Sequence, residues 1–204
     1  KGYAAGLDLR LNGELVEGAE SWISMSFMKT AENLIGDKYT AYYDSTGKQI
    51  SNTPRNQDRI ASTDTIYPGY IPRPTDQLVQ FAMFFQDYIP KFKFIKVHVS
   101  MVFGTGLPFG PPGRDKYKDV LRLPSYKRVD IGFSGQLWNP VWAKQKNRFN
   151  QGLKGVWLSL EVFNIFGITN TVSYLWVRDI SNTQYAVPNY LSSRRINAML
   201  IVNF

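Results

Sequence analysis

The last twelve residues, Ser193 to Phe204, read SRRINAMLIVNF. From Ile196 onward every second side chain is apolar: Ile196, Ala198, Leu200, Val202 and Phe204. Between them stand Asn197, Met199, Ile201 and Asn203, a mixed and more polar set. Alternation of period two over this length marks a strand whose two faces meet different surroundings.

Six further segments alternate in the same way. Tyr3, Ala5, Leu7, Leu9 and Leu11 share one face, with Gly6, Asp8, Arg10 and Asn12 on the other. Ile23, Met25 and Phe27 oppose Trp22, Ser24, Ser26 and Met28, and Val79, Phe81, Met83 and Phe85 oppose Gln80, Ala82, Phe84 and Gln86. Ile95, Val97, Val99, Met101 and Phe103 oppose Lys96, His98, Ser100 and Gly104. Val129, Ile131 and Phe133 oppose Arg128, Asp130, Gly132, Ser134 and Gln136, while Val156, Leu158, Leu160 and Val162 oppose Trp157, Ser159, Glu161 and Phe163. No stretch has a sustained 3.6-residue period, so the predicted class is all-β.

The predicted strands are long. About eleven residues at roughly 3.3 Å each, tilted near 45°, cover about 25 Å, the height of the apolar band of a transmembrane barrel. Strands of soluble sandwiches run to about five or six residues. No run approaches the roughly 20 apolar residues of a membrane-spanning helix, which excludes a helical membrane protein but not a barrel. Connections alternate in length. Gly13 to Glu20 and the stretch around Pro90 and Lys91 are short and polar, whereas Thr30–Gln77, Gly106–Ser125 and Ile168–Ser192 are long. Short periplasmic turns and long extracellular loops produce this rhythm in outer-membrane barrels. The basic connection Asn139–Gly155 breaks it, being long for a turn.

The 204 residues carry a net charge of +8, contain no cysteine, and are 15% aromatic. Without cysteine there is no disulfide framework, thiolate metal site or cysteine nucleophile. The positive charges are scattered over loops and strand ends rather than gathered in a stripe, so no nucleic-acid partner is expected. The chain opens on KGYAAGLDLRL, inside a strand pattern and without Met. It therefore reads as the C-terminal piece of a longer protein, with residues 1–204 one portion of a single barrel domain.

The stretch LSLEVFNIFG, Leu158 to Gly167, resembles the penultimate strand of TonB-dependent outer-membrane receptors. SSRRINAMLIVNF resembles their terminal strand, with Ser193 where glycine often precedes the arginine. GYIPRPTDQ (Gly69–Gln77), GTGLPFGPP (Gly104–Pro112) and YAVPNYLSSRR (Tyr185–Arg195) are similar to the Bacteroidota-type branch with a carboxypeptidase-like regulatory domain. The resemblance implies that these are the last seven of about twenty-two strands in a plugged outer-membrane transporter. It implies an active importer of a siderophore, oligosaccharide or peptide in the bacterial outer membrane, and no enzymatic activity. Upstream would lie the plug domain, the earlier strands and the segment that contacts the TonB complex. Partners so implied are outer-membrane lipid, the remaining strands and plug, the barrel-assembly machinery and a surface lipoprotein.

Candidate sites follow. Ile196, Ala198, Leu200, Val202 and Phe204 form the expected barrel-assembly signal, a strand edge left unpaired before closure. In the long second connection Tyr42, Tyr43, Arg55, Tyr67 and Tyr70 combine rings with a charge, suited to stacking on and hydrogen-bonding a ligand. The plainer account there is a solvated loop whose tyrosines pack on one another. Asp37, Asp44, Asp58 and Asp64 lack the spacing of a dedicated calcium loop, so neither a metal nor another cofactor is expected. His98 is the sole histidine and is assigned to the polar face as a lining residue, since no partner for catalysis is visible. Asp8, Arg10, Lys96, Arg128, Asp130 and Glu161 share that face, where opposite charges on neighbouring strands should pair. No catalytic residues are assigned. The basic turn Trp142–Lys154 is read as solvated charge. Trp22, Tyr88, Phe92, Trp138 and Trp142 fall near the turn-side strand ends, as an interfacial girdle requires. Two other architectures fit less of the pattern: a small barrel or porin of another family, and a soluble ligand-binding β-sandwich. Convergence of Leu9, Phe81, Val99, Ile131, Leu160 and Leu200 in a sealed core would favour the sandwich.

Overall fold

Alternating side chains set on β-branched and aromatic residues form strands wherever each strand has a neighbour to complete its hydrogen bonds. The computed structural model describes residues 1–16, 19–89, 91–111, 120–141, 152–181, 183–191 and 193–204. Pro90, residues 112–119 of the long connection Gly106–Ser125 and residues 142–151 of the basic turn, Trp142 among them, lie outside the described residues. In chain order the strands are β1 (Gly2–Val16), β2 (Ala19–Glu32), β3 (Tyr39–Tyr43), β4 (Gln49–Ile50), β5 (Ser62–Ile66), β6 (Ile71–Pro72), β7 (Val79–Ile89), β8 (Phe92–Gly104), β9 (Pro108–Phe109), β10 (Leu121–Arg122), β11 (Tyr126–Trp138), β12 (Gly155–Phe163), β13 (Thr171–Arg178), β14 (Gln184–Tyr190) and β15 (Arg195–Asn203). A 3-10 helix spans Pro54–Arg59. The chain is all-β with antiparallel sheets, and among the described residues no helix is long and apolar enough to cross a membrane.

The seven long strands are the seven that the alternation predicts. They lie side by side in sequence order, β1-β2-β7-β8-β11-β12-β15, with β6 added to β2. The sheet is an open meander with β1 and β15 at its two ends. Register keeps the two kinds of side chain apart. Ile131 faces Val99 and Val162, while Leu158 faces Leu200 and Val156 faces Val202. A one-residue slip would exchange the faces of a whole strand, so this agreement fixes the pairing.

The long connections hold more strand than the sequence suggests. β3, β4 and β5 form a three-stranded sheet, β13 pairs with β14, and β9 pairs with β10. Two compact units divide the chain. One comprises Gly6–Phe27, Gln77–Gly106 and Leu123–Phe204; the other comprises Lys1–Ala5, Met28–Asp76 and Leu107–Arg122. The second unit is organised around Asp76, which is 1% exposed. Its carboxylate accepts the Thr30 N–H at 2.6 Å and pairs with the Arg122 guanidinium, which also donates to the Asp76 carbonyl at 2.9 Å. A buried carboxylate persists only with such partners.

In the first unit the turn after β12 is closed by Asn164, at φ 53°, a left-handed conformation tolerated best by Gly and Asn. Its side chain donates to the Ile168 carbonyl at 2.9 Å and accepts the Ile168 N–H at 3.0 Å. Asn170 treats Lys127 as a strand partner would, accepting its N–H and donating to its carbonyl, both at 2.8 Å.

Candidate functional site

The two faces of the meander differ in what covers them. Among the described residues the buried apolar side chains are only Ala19, Ala31, Ala41 and Ile71. On the apolar face Leu9 is 52%, Phe133 45%, Leu160 48% and Leu200 61% exposed. Phe81, Val99 and Ile131 are partly exposed, so the six residues that would seal a sandwich core do not do so. Ala19 and its companions are too small and too few to make a soluble core of this length.

The opposite face carries a continuous row of polar and aromatic contacts. Gln86, His98, Gly132, Glu161 and Asn197 stand in one register line across β7, β8, β11, β12 and β15. His98 Nε2 lies 3.5 Å from Glu161 Oε1, and Asn197 Nδ2 donates to Glu161 Oε2 at 3.2 Å. The imidazole crosses β11 to make this contact. That is possible because residue 132 is glycine: a Cβ there would lie 2.2 Å from the ring. The row continues through Phe84, 5.8 Å from His98, and Trp22, 6.5 Å from Phe84, to Arg10, 5.4 Å above the Trp22 ring. His98 therefore does have a carboxylate partner, one that the linear sequence did not reveal. Both are also tied into neighbours, which makes the pair a brace across three strands.

Charge pairing on this face departs from the expected neighbour-strand pattern. Arg128 Nε donates to Asp130 Oδ1 at 2.7 Å, two residues along the same strand. Asp8 accepts a hydrogen bond from the Ser26 hydroxyl. Lys96 sits over the rings of Tyr88 (4.8 Å) and Trp157 (5.8 Å). Long cationic side chains gain as much from an aromatic face as from an exposed carboxylate.

Of the expected assembly residues, Ile196, Ala198, Leu200 and Val202 share the apolar face of β15 and Phe204 directly follows the strand; all five are exposed. Of the expected ligand residues, Tyr42 and Tyr43 lie in β3 and Arg55 in the 3-10 helix. Tyr67 and Tyr70 flank the approach to β6 and are 72% and 54% exposed. Tyr70 packs at a tilt against Tyr3, with ring centroids 5.5 Å apart, and not against another of the five. Asp44 is occupied by its own hairpin turn and by Arg59 at 3.9 Å. Among the described residues no group of three or more His, Asp or Glu could hold a metal ion.

Trp22, Tyr88, Phe92 and Trp138 lie near the turn-side ends of β2, β7, β8 and β11, as expected. Trp22 and Tyr88 point to the face of His98 and Lys96, not to the apolar face. Trp138 and Phe92 follow register shifts, which set them opposite Val156 and Ile89 of the apolar face. Bulges re-aim side chains in this way at strand ends. Sequence reasoning also missed Asp76, Arg122 and Asn170, whose partners lie more than forty residues away.

The chain matches no protein-family model, no curated protein and no solved structure.

Proposed function

We propose that this chain is the C-terminal wall and part of the external loops of a TonB-dependent outer-membrane importer. The observation that carries the proposal is the uncovered apolar face of the meander. A face so broad and so exposed needs a nonaqueous neighbour, and the hydrocarbon of a bilayer accepts alternate apolar side chains from strands of this length. The opposite face, with its Arg10-to-Asn197 row, then lines the interior against water and the plug.

The two end strands of the open meander support the need for further strands, since unpaired edges invite uncontrolled association. The long connections supply the outward-facing surface in which Tyr42, Tyr43, Arg55, Tyr67 and Tyr70 contact the imported molecule. Phe204 and the alternate residues before it serve as the signal for the assembly machinery. In this role the chain moves solute and performs no covalent chemistry.

The full-length protein is the object to test. It should fractionate with the outer membrane, require detergent for monodispersity, and migrate differently on a denaturing gel before and after boiling. A protein that stays monodisperse in plain buffer would overturn the membrane assignment. A gene product lacking both a plug domain and a TonB-contacting segment would overturn the importer assignment and leave the barrel standing.

A further inference from the structure

At the end of the meander where β11 and β15 begin and β12 ends, a recess of about 230 Å³ opens on the polar face. Its walls include Tyr126, Arg128, Phe163, Ser193 and Arg195. Arg195 is placed there by register, directly opposite Phe163. Arg128 lies over the Phe163 ring at 5.1 Å, donates through Nε to Asp130 and is also hydrogen-bonded to the Tyr126 side chain. A guanidinium has five N–H donors, so most of those on Arg128 remain directed elsewhere. Among the described residues the Arg195 guanidinium has no carboxylate or side-chain hydrogen-bond partner, and Ser193 adds a hydroxyl.

We infer that this recess binds the oxyanion group of the imported molecule, a carboxylate or a phosphate, between the guanidiniums of Arg128 and Arg195. The inference deepens the importer reading and rests on it for the identity of the ligand as cargo. The balance of charge favours an anion: two guanidiniums face the space, and the adjacent carboxylate, Asp130, is taken by Arg128 and by the Asn164 N–H at 2.7 Å. Planar guanidinium forks match carboxylate and phosphate oxygens in pairs. The Asn164 and Asn170 side chains in the wall are committed to backbone groups and the Tyr126 hydroxyl to Arg128, which leaves the arginines and Ser193 as the main donors to a ligand. The volume is below the roughly 300 Å³ at which whole small-molecule sites begin. The recess therefore takes a charged head group rather than a whole molecule.

The test uses the full-length protein in detergent, titrated calorimetrically with D-glucuronate, inorganic phosphate and D-glucose. The expected result is binding of at least one anion in preference to glucose, and which anion binds identifies the group. Arg195→Gln should weaken that binding at least tenfold, and Arg195→Lys should weaken it less, because charge survives while the paired geometry is lost. Ser193→Ala keeps the proposal testable if an Arg195 variant fails to fold, with a smaller loss expected. Equal affinity for glucose and both anions, or unchanged affinity in Arg195→Gln and Ser193→Ala, overturns the inference. The mobility shift on boiling is read on the same samples. Its absence, with anion binding intact, would defeat the barrel reading and leave the site standing.

Discussion

Gly132 and His98 show how one absent side chain permits a contact across three strands. A Cβ at residue 132 would meet imidazole atoms at 2.2 and 2.4 Å. Gly132→Ala should therefore push His98 off Glu161 and cost about 1–3 kcal/mol, the usual range for overpacking. In the His98→Ala background the same change should cost less, with a coupling of at least about 0.5 kcal/mol in a double-mutant cycle read by urea unfolding in detergent. Additive effects would mean that the imidazole does not lie over residue 132. Asn164 poses a different residue-level question, conformation against hydrogen bonds. Asn164→Ala loses both bonds to Ile168 and keeps an unfavourable φ, so a loss of about 1–3 kcal/mol is expected. Asn164→Gly relieves the backbone and should recover part of it. Asp76→Ala leaves Arg122 and the Thr30 N–H facing a buried gap, and a loss of about 3–5 kcal/mol in the stability of the second compact unit is expected. Measurement of amide protection at Thr30 would register it directly.

Among elements, the seven long strands were legible because both faces keep their character for seven or more residues, as from Tyr3 to Asn12 and again from Ile95 to Gly104. The added hairpins were not, because their strands are short and pair with themselves, so neither face has a sustained environment to select for alternation. Signals were present nonetheless. Asp44 to Lys48 reads DSTGK, and Asp44 Oδ1 accepts the N–H groups of Thr46 and Lys48 at 2.9 and 3.0 Å. Asp179 repeats the device with Ser181 and Thr183 at 2.9 and 2.8 Å. Valine, leucine and aromatic residues over Thr171–Arg178 favour a strand as well. At Asp44 the Thr46 hydroxyl, then the Lys48 N–H, hold the carboxyl below its ordinary value of 3.8. A depressed value means the ionised form belongs to the folded hairpin. Its contribution is complete above the ordinary value and is lost as pH falls through the lower one. Hydrogen exchange at the Thr46 and Lys48 amides should accelerate, relative to unstructured controls, on acidification below about pH 4. Asp44→Asn keeps an acceptor that does not titrate and should flatten that dependence.

For the molecule as a whole, the decisive contrast lies between two neighbouring residues of β15. Leu200 points to the face that is proposed to meet lipid, and Met199 to the face that is proposed to meet the interior; they are 61% and 44% exposed. Exposure alone would make both tolerant of charge. In a soluble protein an arginine at either place would change stability by no more than about 0.5 kcal/mol. In a membrane wall the two diverge. Leu200→Arg must carry a guanidinium into hydrocarbon at a cost of about 2–4 kcal/mol if it lies near the midplane. Met199→Arg projects among Ser159 and the polar row, where water or protein solvates it at little cost. Register makes the comparison clean, because Leu200 faces Leu158 and Met199 faces Ser159 on the same partner strand. Urea unfolding of the full-length protein in lipid vesicles should thus separate the two variants by at least about 2 kcal/mol. The same pair unfolded in a detergent micelle should differ less, since thin micelles let an arginine reach water. Two variants of equal stability in the bilayer would mean that the apolar face touches something other than lipid, and the membrane wall would have to be abandoned.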